Sequence, residues 1–115
     1  MKMSIIIPPC RVKATSYPPY GALYIGSMLK ANGYEVSLFN MDIDRSLTVK
    51  DAVEFVEKEK PDVVGFSAIV STTYGYIKEL SLAIRERFPE MKQIMGGQLS
   101  QAANVVLENT SIDTI

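Results

Sequence analysis

The sequence predicts an α/β fold built on a parallel β-sheet. Short apolar runs alternate four or five times with longer segments of helical period, and no stretch reads as a linker, repeat or low-complexity tract. At 115 residues the chain fits one domain and leaves no room for a second core of ordinary size.

The first run, Met3 to Ile7, is β-branched and closes at Pro8-Pro9, where the missing amides would break a central ladder. It predicts a buried strand. About a dozen residues follow before the first helix, against the usual two to six for such a connection, and loops of that length in compact domains are usually functional. The helix then spans roughly Tyr20 to Asn32, with Leu23, Ile25, Gly26, Met28 and Leu29 expected inward and Asn32-Gly33 as its stop. Tyr20 and Tyr24 are read as core or helix-start packing.

Glu35 to Asn40 alternates towards Val36, Leu38 and Phe39 and predicts the second strand. The second helix is the clearest, because Val49, Ala52, Val53 and Val56 recur at helical spacing behind Thr48 and Asp51, which are placed as a capping pair. Lys60-Pro61 ends it. Asp62 to Phe66 is too apolar for a half-exposed strand and is expected at the centre of the sheet. Ile77, Leu80 and Ile84 mark a third helix, closed by Arg85, Arg87 and Pro89. Lys92 to Met95 makes a short fourth strand cut off by Gly96-Gly97. Helical spacing returns at Leu99, Ala102, Ala103 and Val106, and Ile112 to Ile115 is expected to begin a fifth strand.

Together these elements predict a flavodoxin-like or Rossmann-like three-layer sandwich with a five-stranded parallel sheet in the order 2-1-3-4-5. A ligand crevice in such a sheet lies outside the carboxyl ends of the strands, where strand order reverses. The loops after strands one, three and four then face one ligand. They are Pro8 to Pro19, Ser67 to Thr73, and Gly96-Gly97-Gln98. Ser67, Ser71, Thr72 and Thr73 offer uncharged hydroxyls suited to amides, sugar hydroxyls or phosphate oxygens, although Thr72 or Thr73 could equally cap the helix that follows. Gly96-Gly97 allows close backbone approach by a flat or bulky ligand, or simply makes a tight turn. Asp42 and Asp44 are read as a solvated turn.

Composition excludes much else. Twelve Lys plus Arg against thirteen Asp plus Glu leave no positive excess for a nucleic acid. The chain has no His and a single cysteine, Cys10, so it cannot form a Cys/His zinc site, an iron–sulfur cluster of its own, a Ser-His-Asp triad or an internal disulfide. A solitary thiol suits a reducing compartment, and no apolar stretch is long enough for a signal-peptide core or a membrane span, so a cytoplasmic location is expected. The glycine loops of dinucleotide and nucleoside-triphosphate sites are missing. A phospho-acceptor receiver would need clustered carboxylates where this chain has Pro-Pro-Cys.

Four segments in order cover nearly the whole chain: Tyr17-Pro-Pro-Tyr-Gly-Ala-Leu-Tyr-Ile-Gly, Asn32-Gly-Tyr-Glu-Val, Pro61-Asp-Val-Val-Gly-Phe-Ser and Met95-Gly-Gly-Gln. They resemble the N-terminal cobalamin-binding domain of radical S-adenosylmethionine enzymes. The stretch Gly65-Phe-Ser-Ala-Ile-Val-Ser-Thr-Thr-Tyr resembles the branch that includes the anaerobic magnesium-protoporphyrin IX monomethyl ester cyclases. The resemblance implies a corrin ring over the carboxyl ends of the strands, with its nucleotide tail entering between the third- and fourth-strand loops. It implies that Ser67, Ser71 and Thr72 bond the tail or corrin amides and that Gly96, Gly97 and Gln98 let the tail pass. Pro9, Cys10 and Tyr17, with Tyr20, would lie near the lower face of the ring, and Ile69 belongs to the same set.

The chain departs from the cobalamin modules of methionine synthase and the mutases, which place Asp-x-His-x-x-Gly after the first strand. With no His here, the resemblance implies cobalamin held base-off and His-off. A 4Fe-4S cluster and S-adenosylmethionine would belong to a downstream barrel domain, and the 115 residues are expected to be the N-terminal part of a longer protein whose chemistry is methyl transfer or cyclase-like. Two other readings are a flavodoxin-like docking or scaffold domain that binds no corrin, and a sugar-nucleotide or glycosyltransferase-like half-domain.

Overall fold

A computed structural model describes residues 1–10, 13, 14 and 17–115 of the chain. Its sheet has four parallel strands, β1 (Lys2–Ile7), β2 (Glu35–Asn40), β3 (Val63–Ser67) and β4 (Lys92–Gly96), in the order β2-β1-β3-β4. Four helices intervene: α1 (Tyr20–Ala31), α2 (Val49–Glu59), α3 (Tyr74–Arg87) and α4 (Ala103–Asn109). Strand order reverses between β1 and β3, so the loops leaving those two strands diverge and open a crevice.

Two apolar clusters follow from the period-2 alternation of side chains across the strands. On one face Ile6, Val64, Phe66 and Met95 pack with Ala52 and Val56 of α2, Ile77, Leu80 and Ile84 of α3, and Val106 of α4. On the other face Met3, Ile5 and Ile7 meet Ala22 of α1, with Leu29, Val36, Val63 and Ile94 around them. Among the described residues the first face is covered by three helices and the second by α1. The α1 side therefore keeps an open groove over β3 and β4.

The expected fifth strand is a single bridge, not a strand. Thr114 pairs in parallel with Ile94, through Met95 N–H to the Thr114 carbonyl at 3.0 Å. The preceding rung is lost because the Gln93 amide donates to the Asp113 carboxylate at 2.8 Å instead of to a backbone carbonyl. Arg85 fixes that carboxylate with contacts of 2.9 and 2.8 Å. The ion pair thus closes the start of the pairing, on the side before the Ile94–Thr114 bridge, and the described sheet has four strands in the order 2-1-3-4.

A second correction concerns α1. Leu23, Ile25 and Met28 are exposed, as are Tyr20 at 74% and Tyr24 at 70%, so neither tyrosine is core packing. Gly26 and the half-buried Leu29 do face inward as expected, and with Ala22 they form the buried stripe at i, i+4 and i+7. Small residues win because the helix lies close on the sheet: a Cβ at Gly26 would stand 3.5 Å from Val36 Cγ1. On edge strand β2, Leu38 is likewise exposed, while Phe39 turns to the other face and stacks on Phe55 of α2 at 4.9 Å between ring centroids.

The second helix forms as its spacing predicts. Thr48 accepts the Asp51 amide and Asp51 accepts the Thr48 amide, a reciprocal capping box, and Lys60 closes the helix in the left-handed conformation at φ 50°. The segment expected to begin a fourth helix at Leu99 is a 3₁₀ turn over Gln98–Ala102 that leads into α4. Among the described residues no helix is long and apolar enough to cross a membrane.

Candidate functional site at the carboxyl edge of the sheet

The four strand ends deliver their loops to one edge, and backbone hydrogen bonds lock those loops together. The Ala68 amide after β3 donates to the Gly96 carbonyl at the end of β4 (2.9 Å), and the Leu99 amide returns to the Ala68 carbonyl (3.1 Å). Thr72 Oγ1 donates to the Cys10 carbonyl at 3.0 Å, tying the third-strand loop to the first.

Three hollows open on this edge and meet at Ile69. The first, of about 370 Å³, lies between Pro8 and Cys10, the Tyr17-Pro18-Pro19-Tyr20 run, Asp42 and Ser67. The second, of about 270 Å³, is the groove between α1 and the β3/β4 half of the sheet, walled by Met3, Ile5, Ala22, Ile25, Ile94 and the glycines 65, 96 and 97. The third, of about 450 Å³, lies between Ser71 and Gln98. Ile69 borders all three and Ser67 the first two.

The residues singled out by sequence are therefore brought to one edge, in different situations. Cys10 and Tyr17 wall the first hollow, with Tyr17 68% exposed, and Pro9 is buried. Ser67 and Ile69 sit at the junction, Gly96 and Gly97 border the groove, and Ser71 and Gln98 border the third hollow. Thr72 commits its hydroxyl proton to the Cys10 carbonyl, and Thr73 donates to Val70 O at 2.6 Å, so neither caps α3. Arg11, Val12, Thr15 and Ser16 of the first loop lie outside the described residues.

The two glycines differ in kind. Gly97 has φ +106°, and a Cβ there would lie 2.3 Å from the Ala68 carbonyl oxygen, so the turn itself demands glycine. A Cβ at Gly96 would meet nothing within 4 Å. Gly96 follows the alternation of Ile94, so a side chain there would stand on the α1 side of the sheet, over the groove.

Sequence reasoning missed Asp42. It is only 6% exposed rather than part of a solvated turn. Its carboxylate accepts the Cys10 amide at 2.9 Å, the Cys10 thiol at 3.1 Å and Arg45 Nη2 at 2.9 Å, while its own amide donates to Asn40 Oδ1 at 2.9 Å. Arg45 reaches on to the carbonyls of Lys13, Met41 and Asp42. Burial pushes the Asp42 carboxyl up, but the Cys10 amide and thiol and the Arg45 hydrogen bond and charge outweigh it, leaving the group below the usual carboxylate range. The legible signal was the Asp42–Arg45 pair at i, i+3 directly after a strand that feeds the crevice. Asp44, two residues on, is exposed as expected, and its carboxylate accepts the amide and hydroxyl of Ser46.

The described residues thus join the loops at the switch point of a parallel sheet to an apolar groove beside them, the arrangement of an α/β ligand-binding edge. The chain belongs to the B12 binding domain family, whose model matches residues 10–115. It is similar to an uncharacterised methyltransferase of Pyrococcus horikoshii, 32% identical over an alignment of 79 positions that covers 64% of this chain and 17% of that protein. It is also similar to the anaerobic magnesium-protoporphyrin IX monomethyl ester cyclase of Rubrivivax gelatinosus, 31% identical over 84 residues, 73% of this chain and 15% of the cyclase. The chain thus spans less than a fifth of either relative. Its fold matches the crystal structure of a cobalamin-binding protein from Desulfitobacterium hafniense with a TM-score of 0.76 at 21% identity, covering 98% of this chain and 50% of that one.

Proposed function

We propose that this domain holds cobalamin base-off and His-off at the carboxyl edge of its sheet, as the cofactor-carrying part of a radical S-adenosylmethionine enzyme. The observation that carries the reading is the meeting of three hollows at Ile69, one of them a groove kept open by Gly96. The residues fit the group. Ser67 and Ser71 supply hydroxyls at the rim for amide or phosphate oxygens, Ile69 supplies apolar contact beneath a ring, and the groove accepts the tail. Bound cobalamin would supply methyl-carrier or redox chemistry, and the protein contributes placement. Because the chain has no histidine, it offers no imidazole to the cobalt. One cysteine cannot hold a 4Fe-4S cluster, so that cluster and S-adenosylmethionine are assigned to a downstream barrel domain, in keeping with the cyclase and methyltransferase relatives.

The test is titration with hydroxocobalamin, followed by gel filtration and the visible spectrum. A stoichiometric complex whose spectrum shows the lower base displaced is expected. Gly96→Leu, which fills the groove without a Cβ clash, should fold normally and lose at least tenfold in affinity. Failure of the wild-type chain to retain corrin would sink the reading in favour of a docking domain without cofactor.

A further inference from the structure

The groove between α1 and the β3/β4 half of the sheet has a one-sided chemistry. Its depth is formed by Met3, Ile5, Ala22 and Ile94 over Gly65, with Ile25 of α1 as its outer lip. Among the described residues on its wall, Ser67 carries the sole polar side chain, and Ser67 stands at the mouth, where the groove meets the first hollow. The strand backbone offers little in its place, because β3 is paired on both sides, with β1 and with β4. Met3 is the adjustable part of the floor. Its Cε lies where a Cβ on Gly65 would come within 2.3 Å, so glycine at 65 makes room for a flexible thioether that shifts at low cost.

Resting on the cobalamin reading above, we infer that this groove selects corrinoids by the polarity of their lower base. It accepts apolar bases of varied shape and disfavours a base with a hydrogen-bonding edge. A p-cresol base has no polar edge to satisfy, and dimethylbenzimidazole presents one ring nitrogen once it leaves the cobalt. An adenine base carries several ring nitrogens and an exocyclic amine. Buried against Met3, Ile5 and Ile94, that amine and those nitrogens lose water without gaining a side-chain partner among the described residues. The resulting discrimination is on the order of tenfold or more in affinity.

Calorimetric titration of the 115-residue chain with the dicyano forms of cobalamin, p-cresolylcobamide, adeninylcobamide and cobinamide, in all of which the base is already off the cobalt and the last of which has no nucleotide, reads this directly. The cresolyl compound should bind within about threefold of cobalamin, and the adeninyl compound at least tenfold more weakly. Ile25 is exposed on the helix surface, so Ile25→Gln preserves the fold while hanging an amide over the groove, and it should narrow the adeninyl gap. An adeninyl compound bound less than tenfold more weakly than cobalamin overturns the selectivity and leaves the cobalamin reading intact. Cobinamide bound as tightly as cobalamin overturns it too, by showing that the groove holds no tail. Absence of binding by every corrinoid overturns both.

Discussion

Asp42 shows how much one side chain carries at this site. A buried carboxylate is costly unless it is paired and hydrogen-bonded, and here two donors from Cys10 and one from Arg45 satisfy it. The same bonds pull the first-strand loop onto the second-strand loop and so shape the wall of the first hollow. Asp42→Asn keeps the size but removes the charge and misplaces a donor towards the Cys10 amide. It should lower stability by about 1–3 kcal/mol, read as a lower urea midpoint with an unchanged slope. An unchanged midpoint would mean that the clamp contributes nothing net. Cys10, Ser67 and Gly97 could be picked out from their positions after apolar runs. For Asp42 the sole hint was Arg45 three residues on, too weak against the ordinary solvated state of an acidic residue after a strand, and it is the path of the neighbouring loop that buries it.

Elements differ in how far their own sequence specifies them. The second helix carries its whole description locally: a capping box, a stripe at Ala52 and Val56, and a left-handed stop at Lys60. Thr48→Ala removes the oxygen that accepts the Asp51 amide and should cost about 1 kcal/mol, checked by chemical denaturation, with Thr48→Ser largely restoring the loss. The first helix is the opposite case. Apolar residues lie all round it, so periodicity names its existence and not its inner face. The face is chosen by how closely the helix approaches Val36, which favours Ala22 and Gly26 over the larger Leu23, Ile25 and Met28. The expected fifth strand is similar: Ile112 to Ile115 has strand composition, but Asp113 diverts the Gln93 amide, so pairing begins only at the Ile94–Thr114 bridge.

At the scale of the molecule, two carboxylates staple distant parts of the chain. Asp42 joins the loops of β1 and β2, and Asp113 joins β4 to α3 through Arg85. For Asp113, burial pushes the carboxyl up, and the Gln93 amide with the Arg85 hydrogen bond and the Arg85 and Lys92 charges pull it down further. Both groups are therefore held below the usual carboxylate range in the folded protein. A carboxyl depressed by folding stabilises fully above its unfolded pKa of about 4, and that stability is lost as pH falls through the lower folded value. Thermal midpoints should thus be level from about pH 7 to 5 and fall below about pH 4. The double variant Asp42→Asn/Asp113→Asn should start lower and fall less over the acid range. An identical acid fall in wild type and double variant, followed by circular dichroism, would assign the pH dependence to other carboxylates.

Strand and helix order, the parallel sheet and the edge at which the loops gather were all determined by the sequence, because they depend on period, β-branching and Gly/Pro punctuation within short windows. The same windows marked Ser67, Ile69 and Gly96 as residues at that edge. Tertiary structure alone decided which side of α1 is buried, that Asp42 is a buried clamp, that Gly97 answers to the Ala68 carbonyl, and that an apolar groove runs along β3 and β4. Each of these depends on the distance between segments remote in the chain, and no local pattern encodes that distance.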